Sequence, residues 1–292
     1  MSGISYEAFI EKVDEHLKDY LSDEYKDWRI ERKEILKVNQ RLDCINIVPM
    51  DEAKRKAMGY MVNLYLNDYY RRITEGIRVE EVLEKISEDF EKHQSEGPTL
   101  PFDGDIMTKK DEIVLQVINT KRNREYLKLL PHRDFLDLSL ICRIVVKDKF
   151  GNLCGSVVNY GLMKEMNLDE ETLFDIALRQ SKRLMPPELI ALSSELCALT
   201  NEKHFLGASS MMYEDILDEL GKKIESDYYV LPSSIHELMI VPIHVGPVEQ
   251  MKEMVEDVNR TVVSDDEWLS DNVYIYSKKT KELQIAVGKM LN

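Results

Sequence analysis

The chain has 292 residues, of which 43% are apolar and 32% charged, a composition typical of one large or two ordinary globular domains and not of a disordered chain. Its 54 acidic and 39 basic residues give a formal net charge of −15, which repels phosphate backbones and disfavours direct binding to nucleic acid. A polyanion mimic that docks on a basic protein is a minor alternative, because solvation alone explains most acidic surfaces.

The cysteines and the hydropathy pattern bear on the compartment. The four cysteines, Cys44, Cys142, Cys154 and Cys197, are scattered without C-x-x-C spacing, which predicts reduced thiols and no disulfide. The first residues lack the basic start and apolar middle of a signal peptide, and no apolar run approaches the ~20 residues that span a bilayer. A cytoplasmic protein without membrane contacts is therefore expected.

The first part of the chain is predicted to be mostly helical. A charged stretch over 22–33 has no regular period, and Pro49 ends a short strand because it cannot donate to a β-ladder. The predicted elements are a helix over 6–21, a strand over 42–48, a mostly helical tyrosine-rich segment over 60–70 and a helix over 79–90. Glycine and proline punctuate residues 95–104, so we predict an N-terminal mostly helical α+β region over 1–105 and a C-terminal α+β domain over 106–292.

The rest of the chain contains strands and helices in irregular order. Asn167 with Glu170 resembles a variant of the capping box at the start of a helix, and Gly221 suggests that the next helix ends early. The predicted elements are strands over 113–118, 138–146, 153–158, 228–231, 238–242, 272–276 and 283–287 and helices over 167–184, 213–224 and from Pro247 onward. Without regular strand-helix alternation, this pattern predicts an α+β fold with antiparallel sheets and packed amphipathic helices.

The candidate chemistry lies in the segment Leu-Pro-Ser-Ser-Ile-His-Glu over 231–237, hereafter the signature segment. Its Ser233, Ser234, His236 and Glu237 supply a hydroxyl, an imidazole and a carboxylate, the parts of a nucleophile-and-base system. On an extended strand, however, His236 and Glu237 face opposite sides, so the acid that orients the ring must come from elsewhere. The simpler interpretation is a hydrogen-bonded Pro-Ser-Ser turn followed by a partly buried strand histidine.

Other motifs are weaker. The His-Arg-Asp sequence over 132–134 lacks the asparagine and the glycine-rich loop of a kinase, and no His or Cys pair has zinc-ligand spacing. The acidic runs over 169–171 and 265–267 lack the glycine of a calcium loop and are interpreted as solvated caps. The small residues over 206–213 favour close backbone packing over anion binding. No metal and no cofactor is predicted.

The order of several short motifs resembles a known family. These motifs are Tyr-Leu-Asn-Asp-Tyr-Tyr over 65–70, Pro-His-Arg-Asp-Phe-Leu-Asp-Leu over 131–138, Leu-Thr-Asn over 199–201, Gly-Ala-Ser over 207–209 with Met212-Tyr213, the signature segment, Met-Val-Glu-Asp-Val-Asn over 254–259 and Leu-Ser-Asp-Asn-Val-Tyr over 269–274. Together they resemble a family of uncharacterised bacterial proteins, known mainly from anaerobic gut bacteria and catalogued as a domain of unknown function. Gln180-Ser181 departs from the Asn-Thr expected in that family. The resemblance implies a cytoplasmic bacterial protein whose distinctive surface centres on Ser233, Ser234, His236 and Glu237, and it implies no activity.

Two functional hypotheses follow. The favoured one is a non-catalytic binding or regulatory protein that uses its acidic exterior and the signature segment to engage another protein. The second is a small hydrolase or transferase with His236 as general base and Ser234 or Ser233 as nucleophile or ligand contact. In that enzyme an acid such as Asp215 or Asp227 would orient the ring. Substrate, partner and oligomeric state stay open.

Overall fold

The computed structural model describes residues 4–58, 61–96, 106–147 and 153–288, in two compact units, Met1–Leu100 and Pro101–Asn292. The predicted domain boundary between 105 and 106 lies at the end of a segment outside the described residues and stays a prediction. Helices and three antiparallel sheets make up the units, which confirms the α+β class. In the described part of the chain, no helix is long and apolar enough to cross a membrane.

The first unit packs three long helices and a short antiparallel sheet around an aromatic-rich core. Its elements are α1 (Tyr6–Tyr20), β1 (Arg29–Lys37), β2 (Gln40–Val48), α2 (Glu52–Met58), β3 (Leu64–Tyr65), α3 (Leu66–Thr74) and α4 (Val79–Glu96), with strand order β1-β2-β3. The apolar stripes of α1 and α4 meet in this core, where Phe9 and Phe90 are fully buried. The helices predicted over 6–21 and 79–90 and the strand over 42–48 are confirmed.

Two predictions for this unit need correction. The charged stretch after residue 22 runs into β1, an edge strand that pairs with β2 along nine residues from Arg29↔Val48 to Lys37↔Gln40. Most of its side chains are charged and at least partly exposed, so it lacks an alternating apolar face. The segment predicted as mostly helical over 60–70 becomes a helix only from Leu66, after the two residues of β3, while Tyr60 lies outside the described residues.

The second unit contains two antiparallel sheets. Its strands are β4 (Ile113–Asn119), β5 (Arg133–Phe135), β6 (Leu138–Lys147), β7 (Leu153–Val157), β8 (Pro187–Ala191), β9 (Cys197–Asn201), β10 (Tyr228–Leu231), β11 (Leu238–Pro242), β12 (Tyr274–Ser277) and β13 (Glu282–Ile285). In the four-stranded sheet, β6 pairs with β4, β5 and β7, and the strand predicted over 138–146 is confirmed. The six-stranded sheet has the order β13-β12-β10-β11-β9-β8.

The helices of this unit cover the sheets. They are α5 (Arg124–Leu127), α6 (Tyr160–Glu165), α7 (Glu170–Leu184), α8 (Glu214–Ile224) and α9 (Val248–Thr261), with 3₁₀ helices at Ile106–Glu112, Gly207–Met212 and Ile243–Val245. The main core joins residues of α7 and α8 to both sheets, and α9 packs Met251 and Val255 on a second cluster beside Tyr229. The closing strand pair predicted near the end is β12 with β13, which is confirmed.

Several local predictions for this unit are wrong in detail. Asp169, not Asn167, caps α7, because its Oδ1 accepts a hydrogen bond from the Thr172 amide at 2.8 Å. Gly221 does not end α8, which continues to Ile224. A Cβ at Gly221 would lie 3.3 Å from the Tyr276 ring, so this glycine allows close packing. Strands β8 and β9 were not predicted.

The cysteines agree with the prediction of free thiols where the structure describes them. Cys44, Cys142 and Cys197 are free. The β6–β7 register places Cys154 beside Val146, and the Val158 amide donates to the Cys142 carbonyl at 2.8 Å. Cys142 is therefore not opposite Cys154.

Candidate functional site

The signature segment connects β10 to β11 in the six-stranded sheet. The two strands pair from Tyr228↔Pro242 to Leu231↔Met239, which confirms the predicted strands on either side of a turn. Between them the chain leaves the sheet, and Ser234 forms a single bridge with Trp268. His236 lies in a bend, so the expectation that it occupies an extended strand is wrong: the strand ends at Leu231 and the next begins at Leu238.

One side of the segment is hydrogen-bonded to the chain after α9. The Ile235 amide donates to the Glu267 carbonyl at 2.9 Å, and the Leu269 amide donates to the Ser233 carbonyl at 3.1 Å. The Ser270 amide donates to the Pro232 carbonyl at 3.0 Å. The main chain of Glu267 therefore borders the signature segment. The run is solvated as predicted, since Asp265 and Asp266 are exposed, but it lies in a turn after α9 and does not cap a helix.

The other side of the segment contacts β9 and the 3₁₀ helix Gly207–Met212. The Thr200 hydroxyl donates a hydrogen bond to the His236 carbonyl at 2.8 Å, and the Ala208 amide donates to the Ile235 carbonyl at 3.2 Å. A Cβ at Gly207 would lie 2.3 Å from the His236 carbonyl oxygen and 2.4 Å from the Thr200 hydroxyl. Only glycine fits at this crossing, so the interpretation of the small residues as a site of close backbone packing is confirmed.

The serines of the segment serve its turn. The Ser234 hydroxyl accepts a hydrogen bond from the His236 amide at 3.1 Å, a local side-chain to backbone turn. Ser233 and Glu237 are half-buried, and neither side chain forms a hydrogen bond or ion pair with any residue that the structure describes. The predicted hydrogen-bonded Pro-Ser-Ser turn is confirmed.

Both ring nitrogens of His236 have partners. Its Nδ1 lies 3.2 Å from the amide nitrogen of Leu206, and its Nε2 lies 3.4 Å from Oε1 of Glu267. Because the amide can only donate, Nδ1 must be the acceptor, and the proton of the neutral ring sits on Nε2, facing the Glu267 carboxylate. The ring also packs beside Phe205, with centroids 5.7 Å apart, and the His236 side chain is 26% exposed.

This arrangement differs from a serine-histidine-acid triad. Such a triad needs one ring nitrogen on the serine and the other on the acid. Here a main-chain amide occupies the first position, and within the described part of the chain no hydrogen bond joins the His236 ring to a serine hydroxyl. Glu267 is the acid that the sequence did not identify.

The two acids expected to orient the ring lie elsewhere. Asp215 forms an ion pair with Lys182, whose hydrogen bond holds the pKa of that carboxyl below its ordinary value. Asp227 accepts the Lys278 amide at 2.8 Å. Neither contacts His236. Among the described residues, no group of three or more His, Cys, Asp or Glu side chains is placed to hold a metal ion.

A second polar cluster joins two of the motifs noted in the sequence. Asp137, in the turn between β5 and β6, accepts hydrogen bonds from Ser270 at 2.6 Å, Asn272 at 2.9 Å and Tyr274 at 2.7 Å. Burial, and then the nearby Asp137 carboxylate, raise the pKa of the Tyr274 phenol. Each of these side chains has a partner, so the cluster joins the two sheets and offers no open site.

The surface of this unit has at least two clefts. One, of about 410 Å³, is lined by β4, β6, β7, the end of α7 and the lysines Lys109, Lys147 and Lys203. The other, of about 270 Å³, lies between β8 and α8. Sequence patterns identified neither, because β8 was not predicted and the lysines are far apart in the chain.

Comparison with protein families assigns most of the chain to one family. The model of a family described as a family of unknown function, DUF5688, matches residues 6–199 and 191–278. No curated protein and no solved structure matches the chain significantly.

Proposed function

The chain belongs to the DUF5688 family of unknown function, and from this premise we propose that it is a cytoplasmic, non-catalytic binding protein that acts through contacts with another protein. The observation that carries the proposal is the open edge of β8 beside an apolar cleft. The partner would supply an extended segment that adds a strand to the six-stranded sheet.

The hydrogen bonds at the two ends of the β8–β9 ladder fix which groups of β8 face outward. The Glu202 amide donates to the Pro186 carbonyl at 3.0 Å, and the Leu192 amide donates to the Leu196 carbonyl at 2.9 Å. Bonded and non-bonded pairs alternate in an antiparallel ladder, so Leu189 and Ala191 direct their amide and carbonyl groups away from β9. No strand of the described residues pairs with this row, and an unpaired row is a template for another strand.

The cleft beside this edge has room for side chains of the added strand. Leu189 and Leu199 line it from the sheet, and Ile216 and Leu220 line it from α8. Because side chains alternate along a strand, every second residue of the added segment would lie over this cleft, and apolar residues fit there.

The charges around the cleft and on the whole chain suggest which polar residues the partner segment carries. Glu188, Glu219 and Lys223 lie around the cleft, and the whole chain carries a net charge of −15. We therefore propose a partner segment with apolar residues at alternate positions and basic residues between or beside them, whose binding weakens with salt.

The geometry of His236 favours binding over catalysis. A general base needs a free lone pair within reach of its substrate, and the Nδ1 lone pair of His236 already faces the Leu206 amide. Since the signature segment is bonded on both sides within its own unit, we place the partner contact at β8 and assign the segment a structural role.

Leucine-to-proline substitution at the two edges of the same sheet tests the proposal. Leu189→Pro removes an amide that faces away from β9, so the fold should tolerate it while partner pairing is lost. Leu283→Pro is the matched control on β13. The Ala286 amide donates to the Val273 carbonyl at 2.8 Å, so by the same alternation the Leu283 amide faces away from β12. In affinity purification from the native host with mass spectrometry, one specific protein should be retained by the parent chain and Leu283→Pro and lost with Leu189→Pro.

The purified partner then decides between the alternatives. Titration of a peptide from that partner should show binding that weakens by about tenfold or more with Leu189→Pro. Equal binding by both proline variants would contradict strand addition. Binding that depends on salt but not on Leu189 would favour the polyanion mimic, and turnover of a small ligand that is lost with His236→Ala would favour the enzyme.

A further inference from the structure

The cleft of about 410 Å³, hereafter the basic cleft, combines an apolar floor with lysines. Val114 and Val145 form part of the floor from β4 and β6, and Leu184 and Met185 contribute from the end of α7. Val114 is fully buried, and Val145 and Met185 are 7% and 4% exposed, so the floor belongs to the main core. Its size lies in the range of ligand pockets, which is about 300–1,000 Å³.

The charges around the cleft are unbalanced. Lys109 lies 3.7 Å from Glu112, and the two side chains are 22% and 33% exposed. Lys147 and Lys203 form no ion pair with any residue in the described ranges. Three ammonium groups therefore line the cleft with one carboxylate, in a chain whose net charge is −15.

We infer that the basic cleft binds a small anionic amphiphile, a molecule with a carboxylate head and an apolar body. Apolar atoms of the ligand would lie over Leu184 and the small exposed part of Val145, which removes apolar surface of the ligand and of the floor from water. The head would pair with Lys147 and Lys203, which have no acidic partner among the described residues, and charge-assisted hydrogen bonds are stronger than those between neutral groups. A neutral ligand of the same shape would leave these ammonium groups unpaired.

Calorimetric titration of the full chain tests this site with three probes. Decanoate carries both features, decanol carries only the tail and acetate carries only the head. We expect saturable 1:1 binding of decanoate, binding of decanol at least about tenfold weaker, which corresponds to about 1.4 kcal/mol, and no measurable binding of acetate.

Two variants locate the site. Lys147→Glu with Lys203→Glu should weaken decanoate binding by about tenfold or more and leave decanol binding unchanged, because only the head loses its partners. The matched control is Lys278→Glu with Lys279→Glu, two exposed lysines at the turn between β12 and β13, which should bind decanoate like the parent chain. Leu184→Trp should block both probes by filling the cleft.

The proposal fails if decanoate does not bind, or if decanol binds as tightly as decanoate. It also fails if both double variants bind decanoate like the parent chain. Thermal unfolding checks that each variant folds. If Lys147→Glu with Lys203→Glu does not fold, Lys147→Gln with Lys203→Gln takes its place, and we expect a smaller loss of decanoate affinity for it. These outcomes do not involve β8, so failure here is separate from failure of strand addition.

Discussion

Asp137 accepts hydrogen bonds from Ser270, Asn272 and Tyr274, and the last of these comes from a side chain that is fully buried. A hydrogen bond to a charged acceptor contributes about 1.5–3 kcal/mol, more than one between neutral groups. The phenol therefore both satisfies the carboxylate and fixes the start of β12 against the β5–β6 turn.

Tyr274→Phe should lower the free energy of unfolding by about 1.5–3 kcal/mol in urea titrations, because it removes one donor and keeps the ring. Tyr229→Phe on the neighbouring strand β10 is the control. That hydroxyl forms no hydrogen bond with a residue that the structure describes, so the change should stay within about 0.5 kcal/mol. Equal losses in the two variants would show that the bond to Asp137 contributes nothing specific.

The sequence predicted some of the contacts between individual residues and missed others. The Pro-Ser-Ser turn was predictable because its hydrogen bond from the His236 amide to Ser234 spans two residues. The contact between His236 and Glu267 was not predictable, because it depends on how the chain after α9 returns to the sheet. The local pattern of three acidic residues over 265–267 resembles any solvated run.

At the scale of elements, the two sheets of the second unit differ in how their edge strands are covered. The outward amide of Leu115 on β4 donates to the Ser181 hydroxyl of α7 at 2.7 Å, and Ser181 donates in turn to the Ala177 carbonyl at 2.6 Å. This contact closes the β4 edge with a helix, whereas the outward amides of β8 have no such acceptor among the described residues.

Ser181→Ala should destabilise the protein by about 1–3 kcal/mol, because it leaves the buried Leu115 amide without an acceptor. Ser156→Ala on β7 is the control, since that hydroxyl is exposed and, among the described residues, contacts the neighbouring Val157 carbonyl alone, at 3.5 Å. Hydrogen exchange at the Leu115 amide should accelerate only in the first variant. An unchanged exchange rate would mean that α7 closes the edge without this bond.

Elements with a regular apolar stripe were predicted, whereas the edge strands β1 and β8, which lack one, were not. The helices α1, α4 and α9 and the buried strands β4, β6 and β10 carry apolar residues at the period of their structure, because one face packs on a core. The strands β1 and β8 lie at sheet edges, have no fully buried side chain and contain charged or proline residues. These two strands form because each pairs with a neighbouring strand, and the local hydrophobic period of a sequence does not indicate such pairing.

At the scale of the whole molecule, each unit contains its own core. The first unit packs α1, α3 and α4 on β2, and the second packs α7, α8 and α9 on its two sheets. Glycine and proline residues over 95–104 predicted a division of the chain, and the proposed boundary between 105 and 106 stays a prediction. The second unit buries tyrosines deeply: burial raises the pKa of Tyr213 to about 12 and raises the pKa of Tyr228 and Tyr274 as well.

These tyrosines predict alkaline destabilisation. A group with a raised folded pKa stabilises the protein fully below the unfolded value, about 10 for tyrosine, and this contribution is lost as pH rises through the folded value. Denaturant titrations should show a constant contribution below about pH 9 and a loss that grows above about pH 10. Tyr213 alone accounts for up to about 2.5 kcal/mol by about pH 12.

The variant Tyr213→Phe measures the contribution of Tyr213 to the alkaline loss of stability. The variant should lose stability less steeply than the parent chain between about pH 10 and pH 12, whatever its stability at neutral pH. Parallel curves in this range would show that the Tyr213 phenol ionises in the folded protein as easily as in the unfolded chain.

The bond from Asn119 to the Leu269 carbonyl, 3.0 Å long, links positions 150 residues apart. On the ribosome, β4 and β6 emerge well before the segment that supplies this carbonyl and the donors to Asp137. The nascent second unit must wait for residues up to about Tyr274, with apolar surface of both sheets uncovered in the meantime. From this late closure we expect dependence on chaperones during synthesis and refolding slower than that of helical proteins of similar size.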